Sequence, residues 1–302
     1  YALCMVIGCF GIGNMFQSNQ AAVILTSQLG EANFAYANVL VGLILAVTIG
    51  LVIIGGLKSI ASVTSRLVPM MLVVYLALVI IVLGLNYSLV DDAFALIFSE
   101  AFTANGVSGG VIGAMIIGFQ RAVFSNEAGL GSAGIAHAAA KTDEPVTQGM
   151  VALLEPFIDS VVVCTMTALV IVILVILPGE ATNGISGIEM SIRAFDSAIP
   201  GSSPLLAIIA TLFAFSTMLA WSYYGLIALE YLVGRSQLSS MIFRLTFLFF
   251  IVVGSAINLQ SVIDISDALV FLISIPNLIG LYLLAPEVKR ELVAFQLRYS
   301  GS

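Results

Sequence analysis

The sequence predicts an all-α polytopic membrane protein of eight spans, and three observations carry that expectation. Hydrophobic residues fill 60% of the 302 positions and charged residues only 9%, against roughly 25% charged in soluble domains. Apolar runs of about 20 residues, the length that crosses ~30 Å of hydrocarbon, recur along the whole chain. Between two of them lies a polar, glycine-broken stretch from Gly118 to His137 that contains Arg121, Ser125, Asn126, Glu127, Gly129 and Gly131. Such a segment survives in hydrocarbon only where it faces protein or a water-filled cavity. An ionisable residue inside a membrane marks a functional site by default.

Span one is expected over Leu3–Leu25. Its middle is polar, with Gly8, Gly11, Gly13, Asn14, Phe16, Gln17, Asn19 and Gln20. Asn14 and Gln17 lie three apart, hence on one face. Small and amide residues commonly hold membrane helices together; the functional reading is that Phe16 and Gln17 line a cavity. Spans two and three, Phe34–Gly56 and Leu67–Leu85, follow from apolar length alone.

Span four, Gly109–Phe124 with a continuation to Ala140, is expected to be a discontinuous helix. Gly129 and Gly131 weaken it by about 1 kcal/mol each relative to alanine, where Ser125, Asn126 and Glu127 already compete for its backbone. The first half should unwind across Ser125–Gly131 and the second should run from about Ser132 to Ala140. Unwinding frees carbonyls and N–H groups for an ion or a substrate.

Span five, Val151–Leu177, carries Glu155 and Asp159 at i, i+4, and Arg121 lies at a similar depth in span four. A buried charge persists only if it is paired, so Arg121 is expected to form a structural or gating ion pair with one or both acids. Span six, Leu205–Gly225, sets Thr217 and the only tryptophan, Trp221, one turn apart. The adjacent hydroxyls of Ser216 and Thr217 suit a hard cation, which prefers oxygen ligands, although Ser and Thr in helices often bond their own i−4 carbonyl. Met241–Ile257 and Ile265–Leu284 complete the spans. Leu89–Ala104 and Ile188–Ile199 have the mixed polarity of helices lying on the outer interface.

The net charge of -7 says less than the placement of the positive residues. Lys58, Arg66, Lys141, Arg235, Lys289, Arg290 and Arg298 follow even-numbered spans and Arg244 stands in the first turn of span seven on the same side, whereas the opposite loops hold Glu31, Asp91, Asp92, Glu100, Glu180, Glu189, Asp196 and Asp264 with the single basic Arg193. By the positive-inside rule both ends of the chain are cytoplasmic. Cys4, Cys9 and Cys164 form no C-x-x-C pair and His137 is the only histidine, so neither a disulfide framework nor a metal site is indicated. Gly129, Gly131 and Gly134 match G-x-G-x-x-G, but that fingerprint requires a preceding strand, and an apolar helix precedes it here. Asn86, Tyr87 and Ser88 match a glycosylation sequon, a pattern short enough to arise by chance.

The block from Phe124 to Ser132 with Ile135–Ala140, together with Gly13–Gln17, Phe215–Thr217, Trp221–Gly225 and Ile275–Asn277, resembles the alanine or glycine:cation symporter family. The resemblance covers essentially all 302 residues. It implies an inverted five-helix-repeat (LeuT-like) transporter fold, in which a broken helix opens each repeat and the binding site lies near the midplane. On that plan residues 1–88 are the remainder of the first repeat, 109–285 the second and 286–302 a cytoplasmic tail, within a single membrane transport domain. The first two core helices, including the other broken one, are expected to precede Tyr1.

The resemblance further implies import of alanine or glycine, coupled to sodium or a proton, across a prokaryotic cytoplasmic (inner) membrane. No cofactor other than the coupling ion and no nucleic-acid partner is implied. Carried over, Phe16, Gln17, Thr217 and Trp221 match substrate-pocket positions, with Ser125, Asn126 and Gly129 supplied by the unwound stretch, and Ser216 with Thr217 match the sodium-side hydroxyls. Leu226 departs from the acid the family often has there. The alternatives are another amino-acid/cation symporter of the same superfamily and a channel. A channel would need polar residues along a continuous pore, whereas those here cluster at mid-chain depth, and an enzyme would need a nucleophile or metal set, against which the lone histidine and unpaired cysteines argue.

Overall fold

The computed structural model describes residues 1–30, 36–101, 110–179 and 187–299, and they are all helical or connecting. Glu31, Glu180 and the predicted boundaries at Phe34, Ala104 and Gly109 lie outside the described residues. Span one is a rod of α1 (Ala2–Phe10), a π-helical turn (Gly11–Met15) and α2 (Phe16–Ser27). Then come α3 (Ala37–Ile54), α4 (Gly56–Leu85) and the short α5 (Val90–Ala101). Span four is divided into α6 (Gly110–Asn126) and α7 (Ser132–His137). Span five begins as α8 (Pro145–Ala152) and α9 (Leu154–Pro156), widens into a π-helical stretch (Phe157–Cys164), and continues through α10 (Thr165–Ile171). The second short helix is α11 (Ile188–Ala198), followed by α12 (Ser203–Val233), α13 (Gln237–Ala256) and α14 (Leu259–Tyr299).

Among the described residues six helices are long and apolar enough to cross a membrane. On α3 the large side chains Val47, Leu51 and Ile54 are 63–71% exposed while Ile49 and Ile53 are buried. Exposed apolar surface on that scale suits lipid rather than water.

Several boundaries differ from the sequence reading: α12 runs on to Val233 beyond the expected Gly225, span five is helical from Pro145 rather than Val151, and two further differences fall on charged segments. α4 starts at Gly56, so Lys58 and Arg66, expected in a loop, stand on its first turns. α14 runs through Pro286 to Tyr299, making most of the expected tail helical. Both segments carry charge, and hydropathy marks where a helix leaves lipid rather than where it ends.

Packing follows membrane rules, in which small residues and buried hydrogen bonds replace the hydrophobic drive between helices. A Cβ on Gly13 would overlap the ring of Trp221, so only glycine lets α12 approach the π turn of span one this closely. Asn14 Nδ2 donates to the Phe247 carbonyl at 2.7 Å, and Asn19 Nδ2 to those of Gly254 and Ile257 at 3.0 and 2.8 Å. These two asparagines therefore fasten span one to the α13 end of the bundle. Around them Met5, Ile12, Trp221, Phe247, Ile251 and Ile273 form the main buried cluster. A second cluster, with Ile24, Val79, Val170, Phe195 and Leu206, joins α2, α4, α10, α11 and α12.

Candidate functional site

The interruption between α6 and α7 organises the site. Glu127, Gly129 and Gly131 all take positive φ (56°, 86° and 81°), a region that side chains other than glycine rarely enter. Asn126 Oδ1 accepts the Ala128 N–H at 2.9 Å, an Asx turn that closes α6. Leu130, fully buried, anchors the loop in the main cluster. From α14, Asn277 Nδ2 donates to the Gly129 carbonyl at 2.8 Å, and a Cβ on Gly131 would overlap the Asn277 side chain. The bend is thus fixed by both its own backbone and α14.

Two charged residues of span four reach different neighbours. Glu127 Oε1 accepts the Trp221 indole N–H at 2.8 Å, and Glu127 Oε2 accepts the Ser132 hydroxyl. Arg121 forms an ion pair with Asp267 of α14 and lies 5.5 Å from the centre of the Phe124 ring. The expected pairing of Arg121 with Glu155 or Asp159 is therefore corrected. Depth along a span says how far a side chain lies from each surface but not which neighbour it faces, and Arg121 faces α14.

The two acids themselves part company. The π-helical widening that starts at Phe157 alters the usual i, i+4 alignment, and Glu155 and Asp159 border different cavities. Glu155 lies 3.8 Å from His137 Nε2. Asp159 Oδ2 accepts the Ser125 hydroxyl at 2.6 Å and that of Ser160 at 3.3 Å, while Asn126 Nδ2 donates to Ser160 Oγ at 2.9 Å.

The cavities lie along consecutive turns of α12. The first, about 490 Å³, is bordered by Phe16, Gln17, Gln20, Asp159, Thr167 and Phe213 among others. Phe16 and Phe124 meet edge to face at 4.8 Å. The second, about 340 Å³, is bordered by Ser216, Thr217 and Trp221 with Thr64, Glu127 and Glu155. Both hydroxyls of the Ser216–Thr217 pair donate to the Phe213 carbonyl, at 2.9 and 3.0 Å. That leaves the lone pairs of each oxygen as acceptors.

The residues singled out from sequence thus form two groups. Trp221, Thr217 and Ser216 stand together; Phe16 and Gln17 stand together on the other cavity, with Ser125 bonded to its Asp159. Asn126 and the Gly129 carbonyl are engaged in holding the bend. Asp267 and Asn277 were given no site role from sequence, although the placement of Asp267 inside an apolar run is the same signal that marked Arg121. Glu127 was noted as polar, yet its tie to Trp221 crosses 94 positions of chain.

The sodium:alanine symporter family model matches residues 1–300. The chain is 39% identical to the sodium/alanine symporter AgcS of Methanococcus maripaludis, over 98% of this chain and 64% of that protein. It is 32% identical to the sodium/proton-dependent alanine carrier protein of Bacillus sp. (strain PS3), over 78% of this chain and 59% of that one. To the amino-acid carrier protein AlsT of Bacillus subtilis it is 32% identical, over 94% and 59%. The chain spans about three fifths of the length of these curated relatives. A match over nearly every residue, on a helical membrane protein with an unwound span at its centre, identifies this chain as a member of the sodium:alanine symporter family.

Proposed function

We propose that the protein imports alanine and glycine by alternating access, driven by a sodium or proton gradient across a prokaryotic cytoplasmic membrane. One observation carries the reading: a span unwound at Glu127–Gly131, with Trp221 held against it and a separate cavity on each side of the Phe213–Thr217 turn. Unwound backbone between half-helices is where secondary transporters hold substrate and coupling ions, and two separate cavities suit alternate opening better than a continuous pore. Relatives named as sodium/alanine and sodium/proton-dependent alanine carriers support the substrate and the ions.

In this reading Trp221 limits the size of what the second cavity admits and Phe16 does so at the first. Gln17 and Ser125 offer polar contacts to the amino acid, and Asn126 and Gly129 act by holding the unwound turn in place. Ser216 and Thr217 turn their oxygens toward the cation. Each ligand stabilises the occluded state for the other, a reciprocal linkage.

Eight spans follow if the π-interrupted rod of residues 2–27 and the α6–α7 pair both cross, with 109–285 as the second five-helix repeat. The placement of basic residues supports cytoplasmic ends, and Arg298 of α14 bonds Glu144 beside the Lys141 loop at 2.7 Å, which is in keeping with a shared side. The second cavity, near Thr64, then opens inward and the first, near Gly187, outward.

The test is uptake of radiolabelled alanine into proteoliposomes carrying the protein. An inward sodium or proton gradient should accelerate uptake, with glycine competing and leucine not. Uptake unchanged when both gradients are collapsed overturns the reading.

A further inference from the structure

Asp159 is a carboxylate without the cationic partner that its place in an apolar span demands. It sits in the π-helical stretch Phe157–Cys164 of a helical run long enough to cross the membrane. Arg121 is taken by Asp267, and among the described residues no basic side chain pairs with Asp159. Its hydrogen bonds, from Ser125 and Ser160, both fall on Oδ2, which leaves Oδ1 without a donor among the described residues. Phe16, Phe213 and Leu206 form apolar walls of the cavity, Tyr75, Thr167 and Ser191 add hydroxyls, and Gln17 and Gln20 bring amide oxygens, that of Gln20 also accepting the Ile188 N–H at 3.2 Å. Asp159 is partly buried, open to the cavity on one side, and a carboxylate within an apolar span is costly unless it faces water or meets a cation. π-helical turns recur at functional sites, and this cavity is bordered by two elements that carry one, the Asp159 stretch itself and the span whose turn at Gly11–Met15 leads into Phe16 and Gln17.

We infer that Asp159, with the oxygens of Gln17 and Gln20, is a receptor for a small monovalent cationic group in the first cavity. Two sources share that chemistry. The ammonium of an amino acid offers three donors, matching Oδ1 and an amide oxygen, and a sodium ion takes the same oxygens as ligands. The inference rests on the cation-coupled uptake reading above and adds to it a charged receptor in the first cavity, separate from the Ser216 and Thr217 hydroxyls on the second.

Asp159→Asn tests it in proteoliposomes. The asparagine keeps the shape and an acceptor oxygen for Ser125 and Ser160, so a merely structural role is preserved while the charge is removed. Because hydrogen bonds to charged groups are worth about 1.5–3 kcal/mol, uptake efficiency for alanine should fall roughly 10- to 100-fold. A raised alanine KM at saturating sodium assigns the ammonium; a raised half-saturation for sodium with the alanine KM unchanged at saturating sodium assigns the ion. Both parameters within about twofold of wild type, less than 0.5 kcal/mol, overturn the inference. If Asp159→Asn does not yield folded protein, Asp159→Glu, which keeps the charge but shifts it by one methylene, carries the test, and unchanged alanine and sodium parameters overturn it.

Should wild-type protein take up no alanine, the transport reading fails on its own. The receptor is then judged by thermal unfolding in detergent. Sodium chloride should protect wild type more than potassium chloride does and lose that advantage in Asp159→Asn; equal protection of both proteins overturns the inference.

Discussion

Trp221 donates its indole N–H to Glu127 Oε1 at 2.8 Å, which ties the middle of α12 to the unwound turn between α6 and α7. The indole is almost wholly buried and its ring lies where Gly13 has no side chain. One hydrogen bond and one missing Cβ therefore set the orientation of the side chain that bounds the second cavity. Glu127→Leu leaves the Trp221 N–H and the Ser132 hydroxyl without their acceptor, at a cost of about 1–3 kcal/mol for a buried unpaired group. Thermal unfolding in detergent should show that loss, and emission from Trp221 should shift with it. Glu127→Gln, which keeps one acceptor oxygen, should lie between wild type and Glu127→Leu.

Trp221→Ala should weaken alanine uptake and admit larger amino acids such as leucine, because the indole closes the cavity on one side. Thr217→Val keeps the shape and removes an oxygen. It should impair cation dependence or alanine affinity without admitting leucine. Competition uptake on the two variants distinguishes these outcomes, and wild-type selectivity in Trp221→Ala would remove the indole from the pocket.

Asp267→Ala should reduce folded yield more than Asp264→Ala on the same helix. Asp267 neutralises Arg121, with side-chain exposures of 17% and 40%, whereas Asp264 accepts a hydrogen bond from Gln260 on an exposed face. Breaking a fully buried pair costs about 3–5 kcal/mol; partial exposure of Arg121 should lower that figure. A double-mutant cycle with Arg121→Ala should give a coupling of about 0.5–3 kcal/mol, as contacting residues do. Strict additivity would show that the pair is not formed.

Gly131→Ala and Gly134→Ala form a matched test of the bend. At Gly131 the φ of 81° and the overlap with Asn277 both oppose a side chain, whereas a Cβ at Gly134 meets nothing within 4 Å. Strained backbone of this kind costs about 1–3 kcal/mol, so Gly131→Ala should lower the unfolding temperature. Gly134→Ala, inside α7, should leave it unchanged or raise it, since alanine is the better helix former. Equal unfolding temperatures would mean that the turn adjusts freely.

Much of this architecture was legible in one dimension because membrane burial writes itself into composition. The break in span four could be read from Gly129 and Gly131 beside Ser125, Asn126 and Glu127, since positive φ needs glycine and polar side chains need a partner other than lipid. The observed ends, Asn126 and Ser132, fall at the edges of the expected unwinding. The short helices α5 and α11 could be read from mixed polarity in the same way. Family membership was legible for a related reason: the blocks that carry the resemblance are those that form the bend, the Trp221 turn and the Asn277 contact.

What only the tertiary structure decided is azimuth, the direction each polar side chain faces around its helix. Asn14 and Asn19 read only as part of a polar stretch that could glue helices together; the structure shows which helix, their amides meeting carbonyls of the α13 end of the bundle more than 230 positions away. Arg121 and Asp159 read from sequence as neighbours in depth, yet Arg121 turns to Asp267 while Asp159, in a π-helical stretch, borders the first cavity. Phe16 and Trp221 read as walls of one pocket and border two. Hydropathy is a projection onto the membrane normal; rotation about that axis is fixed by close packing, such as Gly13 against Trp221, that no local pattern in the chain encodes.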